Sequence, residues 1–210
     1  NEAKDYADSI VTFLAFAVDK QADLGNSLCR WEPVAQCPRL LFVRHSISML
    51  WDYSEGNVLS NSSGSFDVII DGISRNIISS NLPRKPVAQV RAILSSAQKI
   101  DTSELKIILS TDPPYYDNVP YADLSDFFYI WLRRSLQPIY PHLFNTLLVP
   151  KADELIAEPF RHGGKEQART FFERGISSTF KHLLEGCDTR FPSTIYYAFK
   201  QTEESIEENN

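Results

Sequence analysis

Apolar residues recur at helical spacing in four stretches of the chain. In "DYADSIVTFLAFAVDKQAD", residues 5–23, Ile10, Phe13, Leu14, Ala17 and Val18 share one face, which predicts one long amphipathic helix. "SFDVIIDGISRNIISS", 65–80, puts Phe66, Ile69, Ile70, Ile73 and Ile77 together and predicts a second. "DLSDFFYIWLRRSL", 123–136, does the same with Leu124, Phe127, Phe128, Trp131 and Leu132. Asp123 suits its N-cap, and Arg133 and Arg134 suit the negative end of its dipole. "KEQARTFFERGISSTFKHLLEG", 165–186, is the fourth. Shorter apolar or β-branched runs predict strands at 87–96 ("VAQVRAILSS"), 105–111 ("LKIILST") and 193–201 ("STIYYAFKQ"). A short helix is expected within "RLLFVRHSISMLWDYSE", 39–55, in an otherwise irregular region from about 25 to 65. Strands alternating with helices argue for an α/β layer architecture.

The carboxyl end of the second of these strands is unusual. "STDPPYYDNVPYADLSDFFYIWLRR", 110–134, places an acid and two prolines where a buried strand ends. Proline fixes its own φ and biases the residue before it away from helix, so Pro113-Pro114 holds a stiff extended turn. Ligands of open α/β sheets bind beyond the carboxyl ends of the strands. There the carboxylate of Asp112 and the carbonyl of Pro113 suit an exocyclic amino group, and Tyr115 suits the ring that carries it. Stiffness matters because methyl transfer in line with an amine's lone pair depends on positioning. Against this stands a plain tight loop capping a strand. Tyr116, Asp117, Asn118 and Tyr121 read as site-lining residues or as an ordered surface loop. Phe127, Phe128 and Trp131 read as core, and Trp31 and Trp51 as core or local packing. "RHGGK", 161–165, has the glycines and charge to meet a phosphate, or is a solvated loop.

"TDPPYYD" resembles the amino-methyltransferase signature of S-adenosylmethionine-dependent DNA methylases acting on adenine N6 or cytosine N4. The wider stretch "TDPPYYDNVPYADLSDFFYIWLRRSL" is similar to one family, large adenine-specific DNA methylase-like proteins with a DUF1156 region near the N-terminus. The similarity continues through "LLVPKADELIAEPFRHGGKE" and "TIYYAFKQTEE", and upstream through "YADSIVTFLAFAVDK", "LCRWEP" and "MLWDYSEGN". The resemblance implies that Asp112 and Pro113 hold the target amino group, Pro114 sets the turn and Tyr115 stacks on a base flipped from the duplex. Tyr116, Asp117, Asn118 and Tyr121 would line the substrate site.

The implied fold is α/β, a partial class I (Rossmann-like) methyltransferase sheet with flanking helices and a helical N-terminal segment. Its expected divisions are a mostly helical segment packing on the sheet (1–85), the catalytic-loop half (86–202) and an acidic tail (203–210). The implied cofactor is S-adenosylmethionine, with the cofactor-binding residues unassigned. The implied partners are DNA and an upstream half of the same polypeptide. Asp rather than Ser at 112 favours adenine.

Two departures bear on activity. The family's glycine-rich turn after the first strand, where backbone must approach the cofactor closely, has no counterpart among the eight glycines. "AILSSAQ" carries serines where an acid often ends the preceding strand. The isolated chain is therefore expected to be inactive, and a non-catalytic binding or scaffold module derived from the fold is the alternative. Methylation of an amide or amine in RNA or protein ranks lower, since such enzymes commonly carry Asn at the position of Asp112.

Composition adds limits. At 43% hydrophobic and 23% charged, the 210 residues suit one sizeable globular domain, or a domain with an appended segment. The net charge of −6 does not advertise a nucleic-acid binder, although a local basic cleft can sit on an acidic protein. Three scattered cysteines and four unpaired histidines predict neither a disulfide framework nor a metal site. No run reaches the roughly 20 apolar residues of a membrane span, and the polar, acidic first residues do not read as a signal peptide, so a cytoplasmic location without a membrane partner is expected. The missing initiator Met and the tail "EESIEENN" lead us to expect a piece of a larger protein.

Overall fold

The computed structural model describes residues 1–43, 46–80, 92–100, 102, 106–117 and 119–197. The fold is mixed α/β, and the chain divides into two compact units, each made of two stretches that alternate along the sequence.

The first unit comprises the described residues of Asn1–Arg91 and Tyr121–Lys151. It contains α1 (Glu2–Leu24), an antiparallel hairpin of β1 (Trp31–Glu32) and β2 (Cys37–Pro38), α2 (Phe66–Ser79) and α3 (Tyr121–Leu136). α1 packs against both α2 and α3. Ala15 of α1 meets Leu136 and Phe144 in a core that Tyr129, Leu132, Ile139, Tyr140 and Leu143 extend. The small side chain of Ala15 lets bulky neighbours reach the helix backbone. Ser65 caps α2 by accepting from the N–H of Val68. Asp126 of α3 accepts from the N–H of Val149 at 2.9 Å and from Lys151 Nζ at 2.6 Å, fastening the segment after the helix.

The second unit comprises the described residues of Ala92–Pro120 and Ala152–Asn210. It contains a 3₁₀ turn (Ala97–Lys99), β3 (Ser110–Thr111), α4 (Pro159–His162), α5 (Lys165–Glu185) and β4 (Thr194–Ile195). β3 and β4 pair in parallel, Ser110 with Thr194 and Thr111 with Ile195. A parallel bridge between Ile107 and Cys187 precedes them. Ala157, Ala168 and Phe172 form the core here, with Ile176 against it. Gly163, left-handed at φ 76°, ends α4, and Gly164 at φ 133° opens α5.

The four long helices fall where periodicity puts them. Several local expectations do not hold. No helix forms among the described residues of 39–55, because their backbone groups go elsewhere: Arg39 N–H to Arg30, Leu41 N–H to Asp23, Ser54 N–H to Cys29. Residues 92–96 form no strand, and 87–91 lie outside the described residues. Helix α3 starts two residues before Asp123, which therefore sits in its first turn rather than at its N-cap. Trp51 is 92% exposed rather than packed. The predicted strand at 193–201 is confined to Thr194–Ile195, with 198–201 outside the described residues, as are 203–210.

Candidate active site beyond a parallel strand pair

Leu109 is buried and its carbonyl accepts from the N–H of Thr194 at 2.9 Å. Two residues on, the carbonyl of Thr111 accepts from the N–H of Tyr196 at 2.8 Å. These bonds set the carboxyl ends of β3 and β4 side by side. Asp112-Pro113-Pro114-Tyr115 leaves the first end and Tyr196-Tyr197 the second. A proline at 113 has no N–H to give and cannot extend the pairing, so the chain turns out of the sheet here.

The turn brings its acid and its ring together. Tyr115 Oη donates to Asp112 Oδ1 at 2.7 Å, a short bond of the charge-assisted kind. Asp112 is exposed, while Pro113, Pro114 and Tyr115 are half-buried. The ring of Tyr197 meets that of Tyr115 edge-to-face, with centroids 5.5 Å apart and planes at 81°. A carboxylate, a rigid dipeptide and two phenol rings thus share one sheet edge.

Tyr116 turns away from this group. Its φ of 21° is positive, its ring stands edge-on to Phe172 of α5 at 5.3 Å, and its carbonyl accepts from the N–H of Ala157 at 2.8 Å. Tyr116 therefore anchors the loop to the core of this unit while leaving 37% of its surface exposed. Asp117 is exposed, and Asn118 lies outside the described residues. Tyr121 opens α3 in the other unit, where it lines a cavity of about 270 Å³ with Asp23, Leu40, Phe42, Leu124, Ser125 and Phe128. Phe127 and Phe128 are half-buried and pack edge-to-face on each other, with Phe42 against both.

The "RHGGK" segment has a local role. Its glycines make the α4–α5 turn, His162 stacks on Phe171 at 4.0 Å, and Arg161 pairs with Glu154 at 2.6 Å. With both partners of that pair largely buried, the guanidinium is engaged rather than offered to a phosphate.

Tyr197 is not among the residues the sequence singles out, since "TIYY" reads there as strand and as part of the family resemblance. Its signal was a pair of aromatics at a strand's carboxyl end. Among the described residues no group of His, Cys, Asp and Glu could hold a metal ion, and the cysteines are free. No described helix is long and apolar enough to cross a membrane.

Comparison with protein-family models, with curated proteins and with solved structures gave no match.

Proposed function

We propose that the chain carries the catalytic loop of an S-adenosylmethionine-dependent DNA amino-methyltransferase acting on adenine N6, within a class I methyltransferase fold and in the cytoplasm. The observation that carries this reading is the junction of Asp112 and Tyr115 at the carboxyl edge of the parallel pair β3–β4. An amine held by the Asp112 carboxylate and the Pro113 carbonyl has both its N–H bonds engaged. Its lone pair is then turned out of the ring plane, as attack on a methyl group requires. Tyr115 supplies a face for the ring, and the prolines keep both groups from drifting. Extrusion of the base from duplex DNA brings it to such a loop.

S-adenosylmethionine supplies the methyl group in this class of reaction. None of the eight glycines directly follows a strand among the described residues, which supports assigning the cofactor's methionine end to another part of the polypeptide. This chain's share of the chemistry is accordingly the holding of the amine. The same observation favours a second reading, a binding or scaffold module that kept the amine-holding loop without turnover.

Photo-crosslinking tests the reading. A duplex carrying photoreactive 8-bromoadenine, which keeps the exocyclic amine, opposite an abasic site is irradiated with the chain and the adduct mapped by mass spectrometry. An adduct on Tyr115 is expected. Adducts elsewhere, or none, contradict the reading.

A further inference from the structure

The Asp112 carboxylate has two oxygens, and the structure treats them differently. Tyr115 Oη holds Oδ1 at 2.7 Å, while Oδ2 has no hydrogen-bond partner among the described residues. The ring that carries this hydroxyl is itself held, edge-to-face against Tyr197 at 5.5 Å. Tyr197 is fixed in turn by its neighbour's backbone bond to Thr111 and by the pairing of Thr111 with Ile195. A closed chain of contacts thus runs from the strand pair through Tyr197 and Tyr115 to one oxygen of Asp112.

Resting on the amine-holding reading above, we propose that Tyr115 is a positioning residue that acts through its hydroxyl. It fixes the Asp112 carboxylate by Oδ1 so that Oδ2 is the acceptor for the ligand's N–H, and Tyr197 braces Tyr115 in that pose. An exposed aspartate otherwise rotates about its broad, two-fold terminal torsion, and a hydrogen bond at one oxygen removes that freedom before a ligand arrives. The ring of Tyr115 and its hydroxyl then have separable jobs, one toward the ligand's ring and one toward the carboxylate.

Two readouts test this, the first needing no ligand. The chain is labelled with tyrosine carrying ¹³C at Cζ, whose shift follows the hydrogen bonding of the phenol. The Tyr115 signal is assigned through Tyr115→Phe. Asp112→Asn is expected to move that signal, and Tyr197→Leu to move the Tyr115 ring protons by removing a neighbouring ring current. A Tyr115 Cζ signal that ignores Asp112→Asn overturns the clasp, whatever the chain binds.

The second readout compares duplexes bearing adenine or purine opposite an abasic site, which differ only in the amino group. Tyr115→Phe, which keeps the stacking ring, is expected to reduce the wild-type preference for adenine by up to about tenfold, as for one hydrogen bond to a charged group. An undiminished preference in Tyr115→Phe overturns the positioning role. A wild type that binds both duplexes equally sinks the substrate reading instead, while the carbon shift still decides the clasp.

Discussion

The backbone N–H of Tyr196 donates to the carbonyl of Thr111 at 2.8 Å. That bond ties two stretches 85 positions apart and makes a single edge of the DPPY turn and the TIYY strand. Proline at 194 deletes the preceding rung, Thr194 N–H to Leu109. We expect Thr194→Pro to cost about 1–3 kcal/mol, the penalty of leaving a backbone acceptor unpaired. It should also loosen Tyr197 from Tyr115. Urea unfolding and the Tyr115 ring shifts measure both effects.

Gly175 and Gly72 predict opposite outcomes for one substitution. A Cβ at Gly175, within α5, would lie 2.3 Å from Leu155 Cδ2 and 2.9 Å from Gln98 Nε2. At Gly72, within α2, it would meet nothing within 4 Å among the described residues. Gly72→Ala should stabilise by about 0.4–1 kcal/mol through the unfolded chain. Gly175→Ala should destabilise by about 1–3 kcal/mol, because overpacking outweighs the gain in propensity. Thermal melts of the two variants are the check.

Asp126 holds two donors at once, the N–H of Val149 and Nζ of Lys151, and the ion pair is about three-quarters buried. Asp126→Ala leaves the Val149 N–H without its acceptor and strips Lys151 of this ion-pair partner, although Nζ keeps the Val149 carbonyl at 3.1 Å. A loss of about 2–3 kcal/mol is expected, more than an exposed pair gives. Lys151→Ala should cost less, since Asp126 then keeps Val149. A double-mutant cycle separates the ion pair from the backbone bond.

Asp19 gives the first unit a pH dependence. Burial, and secondarily the charge of Asp23, push its carboxyl from 3.8 up to about 6, and its Oδ1 is buried without a partner among the described residues. An acid with a raised folded pKa holds its proton more tightly folded than unfolded. Its ionisation therefore costs nothing below the unfolded value, erodes stability as pH rises from about 4 to about 6, and imposes its full penalty above. Discounted for partial exposure, that penalty is about 1 kcal/mol. Asp19→Asn should melt higher than wild type at pH 8, with the gain shrinking toward pH 4. A gain that does not change with pH would sink this assignment.

Much of the helical framework was legible because it is local. Ile10, Phe13, Leu14 and Val18 state their helix through spacing alone, and the observed α1 contains the predicted span. Spacing does not reveal what covers such a face, and these four side chains are only partly buried. The region 39–55 misled for a non-local reason. Its apolar residues scan as helix, but Leu41 and Ser54 give their N–H groups to Asp23 and Cys29 rather than to the residues four before them.

At the site, the role proposed for Asp112, Pro113, Pro114 and Tyr115 rests on four adjacent residues of the sequence. The hydroxyl contact between Asp112 and Tyr115 arises from the turn those prolines set. The role of Tyr197 could not be read, because it depends on a parallel pairing between residues more than 80 apart.

The most direct measurement is an anisotropy titration of the chain with two labelled duplexes, one holding adenine and one holding purine opposite an abasic site, repeated with Asp112→Ala. The account predicts tighter binding of the adenine duplex, by about tenfold for one charge-assisted hydrogen bond, and loss of that preference in Asp112→Ala. Equal affinity of the wild type for both duplexes, or a preference that survives the loss of Asp112, would contradict it.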